Sequence, residues 1–201
     1  MRVESPESTN RILTIPNVIT IVRLACLPVF LWLLFGLDDW LAAAALLALL
    51  GITDFVDGYI ARHLHQVSDL GKVLDPTADR LLFIVGVGGI MVVGAAPLWF
   101  SILVLAREIL VGGAMVVLTL MGMKRFDVSW WGKAGTLCLM VSFPSFLASE
   151  AVFRYADAMR LLAWVAGIPG LVLSYYAALT YIPVMRRNLA EGRADRTRAS
   201  P

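Results

Sequence analysis

Apolar residues along this chain come in long blocks, and short polar or turn-forming pieces separate them. A helix needs ~20 mostly apolar residues to cross the hydrocarbon core of a bilayer. Six blocks approach that length, over residues 17–35, 40–60, 75–93, 98–120, 134–153 and 161–185. The separators include Gly36-Leu37-Asp38-Asp39, Gly94-Ala95-Ala96-Pro97 and a longer polar stretch over residues 121–133. The pattern predicts an all-α integral membrane protein with six transmembrane helices. A short segment, 1–16, precedes one helical domain over 17–186, and a polar tail, 187–201, is expected to be disordered. There is no internal repeat and no second domain.

Composition agrees with the pattern. Hydrophobic residues make up 59% of 201 residues and mean hydropathy is +0.79, too apolar for an ordinary soluble domain. Net charge is only +2, and no nucleic acid partner is expected. The distribution of cations carries more information than their sum, because Lys and Arg accumulate on the cytoplasmic side of membrane helices. With both termini cytoplasmic, the inner segments hold Arg2, Arg11, Arg62, Lys72, Lys124, Arg125, Lys133, Arg186 and Arg187, and the tail adds Arg193, Arg196 and Arg198. The outer loops hold only Arg154 and Arg160, offset by Glu150 and Asp157. The first block follows a polar stretch, carries Arg23 and lacks a small-residue cleavage site, so it reads as a membrane helix and not a cleaved signal. Cys26 and Cys138 both lie inside apolar blocks and read as small core residues. The Arg-rich tail suits contact with anionic headgroups.

Four aspartates interrupt this apolar chain within one short stretch: Asp54, Asp57, Asp75 and Asp79. The first pair is spaced i, i+3 at the end of the second block, and the second pair i, i+4 at the start of the third. Either spacing puts both carboxylates of a pair on one helix face. Converging carboxylates resist burial unless cations answer them, so divalent metal ions are the natural partners, and metals on carboxylates point to phosphate chemistry. Gly58 leaves a helix surface bare beside Asp57. Ala61 is small on the same face, and Arg62 offers a guanidinium for a phosphate oxygen. Gly71 is expected in the connecting loop, permitting a tight return, and Pro76 is expected in the first helical turn, with Asp75 at its mouth. Ile15-Pro16-Asn17 opens the first block, with Thr20 and then Arg23 following at one-turn intervals. Arg23 needs a partner inside the membrane, for which a phosphate or a motif carboxylate would serve.

The stretch from Asp54 to Asp79 resembles the signature of the CDP-alcohol phosphatidyltransferases, D-x-x-D-G-x-x-A-R, eight residues, G-x-x-x-D-x-x-x-D. Its fixed positions are present as Asp54, Asp57, Gly58, Ala61, Arg62, Gly71, Asp75 and Asp79. The likeness extends over residues 11–186. It implies an integral membrane enzyme that transfers a phosphatidyl group from CDP-diacylglycerol to an acceptor hydroxyl and releases CMP. It also implies two divalent ions, Mg²⁺ or Mn²⁺, held by Asp54, Asp57, Asp75 and Asp79, with Asp79 the general base as well. Asn17, Thr20, Gly58, Ala61, Arg62 and Gly71 would hold the cytidine diphosphate. A homodimer in the cell (inner) membrane, with its site open to the cytoplasm, is the family expectation.

The acceptor is read from the fourth and fifth blocks. Arg107-Glu108-Ile109-Leu110-Val111 and Val128-Ser129-Trp130-Trp131-Gly132-Lys133 resemble the branch of phosphatidylglycerophosphate synthases and CMP-forming cardiolipin synthases, and the chain looks like the actinobacterial members of it. Arg107 and Lys133 would hold the acceptor phosphate; the plainer reading of Arg107 with Glu108 is an intramembrane ion pair. A glycerol 3-phosphate site in this branch typically has a further Arg eight residues after the first and a G-K-x-K-T run. Here those positions are Met115 and Gly135. Losing two charge-assisted contacts of ~1.5–3 kcal/mol each penalises a small dianion far more than a lipid held by its tails. Phosphatidylglycerol is therefore favoured as acceptor, with glycerol 3-phosphate the alternative, and cations restored at 115 and 135 are expected to admit the latter. A cation transporter or channel is a distant alternative, disfavoured because the aspartates lie at helix ends and not at the membrane midplane.

Overall fold

The computed structural model describes the backbone of residues 15–64, 71–121 and 129–199; within these ranges, side chains are described except at 15–19, 54–64, 71–78, 119–120, 186 and 190–199. The described residues form six α-helices and no strand: α1 Ile15–Phe35, α2 Trp40–Leu64, α3 Gly71–Val92, α4 Leu98–Leu120, α5 Trp130–Ala151 and α6 Ala156–Ala199, with one 3-10 turn at Phe153–Tyr155 before α6. Among the described residues three stretches are long and apolar enough to cross a bilayer, Leu98–Leu118, Trp130–Ala151 and Phe153–Leu189, while Thr20–Phe35 and Trp40–Thr53 are shorter apolar runs. Large apolar side chains such as Trp32, Ile52, Val92, Leu110, Val172 and Leu179 lie on the outside. Such a surface belongs in lipid, and the protein is a membrane protein.

Several boundaries differ from those the apolar blocks predict. α3 begins at Gly71, so this glycine opens a helix instead of bending a loop, and Asp75 and Pro76 stand beyond its first turn. Hydropathy marks where a helix enters lipid, whereas a helix continues for as long as its backbone can bond. The tail expected to be disordered likewise continues α6 as helix to Ala199. Its Ala, Glu and Arg residues are good helix formers, and propensity outweighs polarity there. At 44 residues α6 is about 66 Å long at 1.5 Å per residue, roughly twice the hydrocarbon thickness.

Neighbouring contacts give the helix directions. Arg23 meets Asp79, and Phe30 and Leu34 close on Gly89, where a Cβ would stand 2.9 Å from Leu34 Cδ2; α1 and α3 are parallel. Phe100 of α4 meets Trp164 of α6, and Met115, further along α4, packs on Ala177, Tyr181 and Met185, further along α6, so α4 and α6 are parallel too. α5 runs against α6, with Ser142 Oγ donating to the Ala163 carbonyl at 2.8 Å and Arg160 paired to Glu150 at 2.8 Å. The start of α1, the end of α2 and the start of α3 share one end of this bundle.

The tightest seam joins α5 and α6. A Cβ on Gly135 would stand 2.9 Å from the Ser174 backbone nitrogen, one on Gly170 3.0 Å from Cys138 Cβ, and one on Gly167 2.6 Å from Ser142 Oγ. Helices in lipid gain little from hydrophobic exclusion, so they associate through close backbone packing at small residues. Around this seam an aromatic group closes the core: Phe100 lies 5.5 Å from Phe143 and 5.7 Å from Trp164, centroid to centroid.

Gly135→Ala is expected to destabilise the protein by about 1–3 kcal/mol, because backbone faces the added methyl and cannot swing aside. Gly88→Ala, which meets nothing within 4 Å, is expected to be neutral or stabilising by up to ~1 kcal/mol through helix propensity. Thermal unfolding in detergent separates the two; equal melting temperatures would show that the α5–α6 contact is not close.

Candidate active site

The motif falls on two consecutive helices. Asp54, Asp57, Gly58, Ala61 and Arg62 occupy positions i, i+3, i+4, i+7 and i+8 in the final turns of α2, which is one helix face. Gly71, Asp75 and Asp79 occupy i, i+4 and i+8 at the start of α3, again one face. Below them lies an apolar floor built from three helices, where Leu27, Leu50 and Leu82 pack together. Leu27 is four residues after Arg23, Leu50 four before Asp54 and Leu82 three after Asp79, so these three positions stand one turn above the floor. Beside and below this floor, Leu47, Gly51, Phe83, Gly86, Met140 and Phe143 line a small apolar cavity between α2, α3 and α5.

Of the four aspartates, Asp79 is the one whose side chain is described; those of Asp54, Asp57 and Asp75, like those of Asn17, Gly58, Ala61, Arg62 and Gly71, lie outside the described set. Asp79 is about one-third exposed and its Oδ1 accepts from Arg23 Nη1, while Arg23 itself is only 5% exposed. The partner required by an arginine within the first apolar block is thus a motif carboxylate. Thr20, one turn before Arg23, is buried at the same level.

A second set of charges lies on α4. Arg107 is buried; its Nε donates to the Ser174 carbonyl at 3.2 Å and its Nη1 to Glu108 Oε2 at 2.8 Å. The other Glu108 oxygen, Oε1, is 4.0 Å from Arg80 Nε. Arg107 therefore forms the ion pair of the plainer reading, while its Nη2 has no protein partner among the described residues. Arg80 escaped the sequence reading although it follows Asp79 directly. The signal was present, since an arginine within an apolar block needs a partner just as Arg23 does.

Lys133 is exposed near the start of α5. That start is fixed by Ser129, whose hydroxyl caps the helix by accepting from Gly132 N–H at 3.3 Å. Ser129 N–H in turn donates to the Tyr181 hydroxyl of α6 at 3.1 Å. Met115 packs on an apolar group formed by Ala177, Tyr181 and Met185. Gly135 is buried against the α6 backbone, which corrects the expectation that a lysine could be restored there: its side chain would force α5 and α6 apart.

The resemblance implies divalent metal, and the chemistry of the donor set fits one. Two helix faces carry the four motif positions, all aspartate, to one end of the bundle, and carboxylate oxygens are the donors that hard divalent cations take. Among the described residues no three His, Cys, Asp or Glu side chains converge, three of the four motif aspartates being outside that set.

Comparison with known proteins agrees with the motif. A family model for CDP-alcohol phosphatidyltransferase matches residues 13–174. Cardiolipin synthase (CMP-forming) of Streptomyces coelicolor is 37% identical, covering 92% of this chain and 90% of its own length. CDP-diacylglycerol–glycerol-3-phosphate 3-phosphatidyltransferase of Bacillus subtilis is 32% identical over 76% of this chain and 86% of its own. The enzyme of that same description from Rickettsia bellii is 36% identical over 80% and 91%.

Arg23→Gln is expected to lower the melting temperature by several degrees, since a charge-assisted bond linking α1 to α3 is worth about 1.5–3 kcal/mol. Arg23→Lys should recover part of the loss. An unchanged melting temperature for Arg23→Gln would show that this pair does not hold the two helices together.

Proposed function

Because the chain belongs to the CDP-alcohol phosphatidyltransferase family, we propose that it is a CMP-forming cardiolipin synthase that joins the phosphatidyl group of CDP-diacylglycerol to phosphatidylglycerol. The observation that carries the chemistry is the motif itself: its two halves occupy one face each of α2 and α3 at the same end of the bundle. The acceptor assignment is supported by the helices that pack on α6: Met115 of α4 packs with Ala177 and Tyr181, and Gly135 of α5 abuts the α6 backbone. A small dianion wants cations at such positions, whereas a lipid phosphodiester held by its tails does not.

Each residue then has a defined task. Asp54, Asp57, Asp75 and Asp79 would hold two divalent ions, Mg²⁺ or Mn²⁺, which would supply stabilisation of the charge that develops in phosphoryl transfer. Gly58 and Ala61 leave room for the nucleotide, Arg62 binds a phosphate oxygen, and Asn17, Thr20 and Gly71 complete the cytidine diphosphate site. Asp79 takes the proton of the acceptor hydroxyl as that oxygen bonds to the β-phosphorus. The bond from that phosphorus to the bridging oxygen breaks, and CMP leaves. Arg107 and Lys133 hold the acceptor phosphate. Six membrane-spanning helices with both termini cytoplasmic place this end at the inner face of the cell membrane, as the Lys and Arg distribution supports. A homodimer is the assembly we expect.

Chelation with excess EDTA is expected to abolish transfer, as is Asp54→Asn or Asp75→Asn in a protein that keeps its melting temperature. Asp79→Asn should retain CDP-diacylglycerol binding and lose most of kcat. Full turnover in EDTA would remove the metal from the mechanism, and near-normal kcat in Asp79→Asn would place the base elsewhere.

Offered separately with CDP-diacylglycerol, phosphatidylglycerol is expected to give cardiolipin and CMP, and glycerol 3-phosphate little product. Arg107→Ala should raise KM for phosphatidylglycerol more than for CDP-diacylglycerol. Efficient formation of phosphatidylglycerophosphate without cardiolipin, identified by mass spectrometry, would transfer the assignment to the glycerol 3-phosphate enzyme.

A further inference from the structure

Consecutive positions of α3 point about 100° apart around the helix axis, since an α-helix has 3.6 residues per turn. Asp79 and Arg80 use that divergence to bind different helices. Asp79 is paired to Arg23 of α1, and Arg80 faces Glu108 of α4 with Nε 4.0 Å from Oε1. Arg80 is also seated on α4 by shape. Gly112, one turn after Glu108, is buried; a Cβ added there would overlap Arg80 Nη1 and stand 3.2 Å from its Cζ. The guanidinium therefore meets this helix surface through its Nη1 end, at a point that only glycine leaves open. Glu108 holds it from one side while giving its second oxygen to Arg107.

We propose that Arg80 is a positioning residue for the transfer reaction: seated on Gly112 and held by Glu108, it fixes the rotation of the α3 turn that presents Asp79. Deeper in the bundle α3 is packed on α1 through Gly89 and on α1 and α2 through Leu82, but neither contact reaches the turn that carries Asp79. Two pairs on adjacent residues, directed to α1 and α4, fix its angle at the level of the carboxylate. A general base must lie within about 2.6–3.2 Å of the proton it takes, and misplacement by ~1 Å costs on the order of a hundredfold in rate. Arg80 thus acts through Asp79 and touches neither substrate. The inference rests on the assignment of Asp79 as base; Gly58, Ala61 and Arg62, the nucleotide-binding positions on α2, lie outside the turn that Arg80 fixes.

Gly112→Ala is the most informative variant. It leaves every charge in place, keeps Glu108 on Arg107, and displaces only the far end of a flexible side chain, so the helix itself gains propensity. Arg80→Gln serves as the second variant, and Asp79→Asn as the benchmark, all assayed with CDP-diacylglycerol and phosphatidylglycerol in detergent micelles. Gly112→Ala and Arg80→Gln are each expected to lower kcat at least tenfold, with KM for CDP-diacylglycerol within about twofold of the parent. Gly112→Ala is expected to do so at an unchanged or raised melting temperature. Retention of kcat within twofold by both variants, while Asp79→Asn is inactive, overturns the positioning role and leaves the base assignment standing. Near-normal kcat in Asp79→Asn overturns the base assignment and this inference with it.

Discussion

An ionised side chain at the edge of hydrocarbon is stable only when its charge is answered, and the motif end of this bundle is organised by that requirement. Arg23 lies one turn above the apolar floor and is answered by Asp79. Arg107, buried on α4, is answered by Glu108 and by a backbone carbonyl of α6. Arg80 answers the remaining oxygen of Glu108. These pairings tie α1, α3, α4 and α6 together through neighbouring residues, so the electrostatics that permit charge in this place also fix the helices that carry it. The same arrangement explains why a carboxylate-rich motif can sit one turn above a leucine floor without unfolding the end of the bundle.

Such pairing needs a rigid partner, and the α5–α6 seam supplies it. Gly135, Gly167 and Gly170 bring the two backbones into contact, and the buried serines nearby spend their hydroxyls on carbonyls, Ser142 on Ala163 and Ser174 on Leu171. Ser174 is enclosed from two directions, by Gly135 of α5 and by the Arg107 guanidinium of α4. The position of a charged side chain on α4 is thereby referred to the closest-packed pair of helices in the molecule.

The order and number of the helices were legible in the sequence because long apolar blocks have one structural outcome in a bilayer. The motif was legible because its spacings match the helical repeat, and the structure carries each half on a helix. Helix ends were not, since Gly71 and the residues after Met185 continue helices by backbone bonding that hydropathy does not report. The partner of Arg23 was narrowed to a phosphate or a motif carboxylate and proved to be Asp79. Arg80 and Gly112 were missed together: they lie 32 positions apart, and a glycine whose purpose is to seat an arginine from another helix carries no local signal. Gly135 was misread for a related reason, being treated as a missing charge when its surroundings make it a required absence.

That absence bears on specificity. A side chain at position 135 and an α6 backbone against α5 cannot occupy one space, because a Cβ there would already stand 2.9 Å from a backbone nitrogen and 3.2 Å from the Gly170 carbonyl oxygen. Close packing and a lysine at this position are alternatives for this backbone, and the chain has taken close packing. Met115 follows the same course, its side chain joining Ala177, Tyr181 and Met185 where an arginine would bring charge into an apolar seam at a cost of several kcal/mol. Met115 and Gly135 thus both contribute packing against α6, on two different sides. A wall of that kind offers little to a small dianion and takes nothing from an acceptor whose acyl chains supply its binding, which is the physical argument behind the lipid acceptor proposed above.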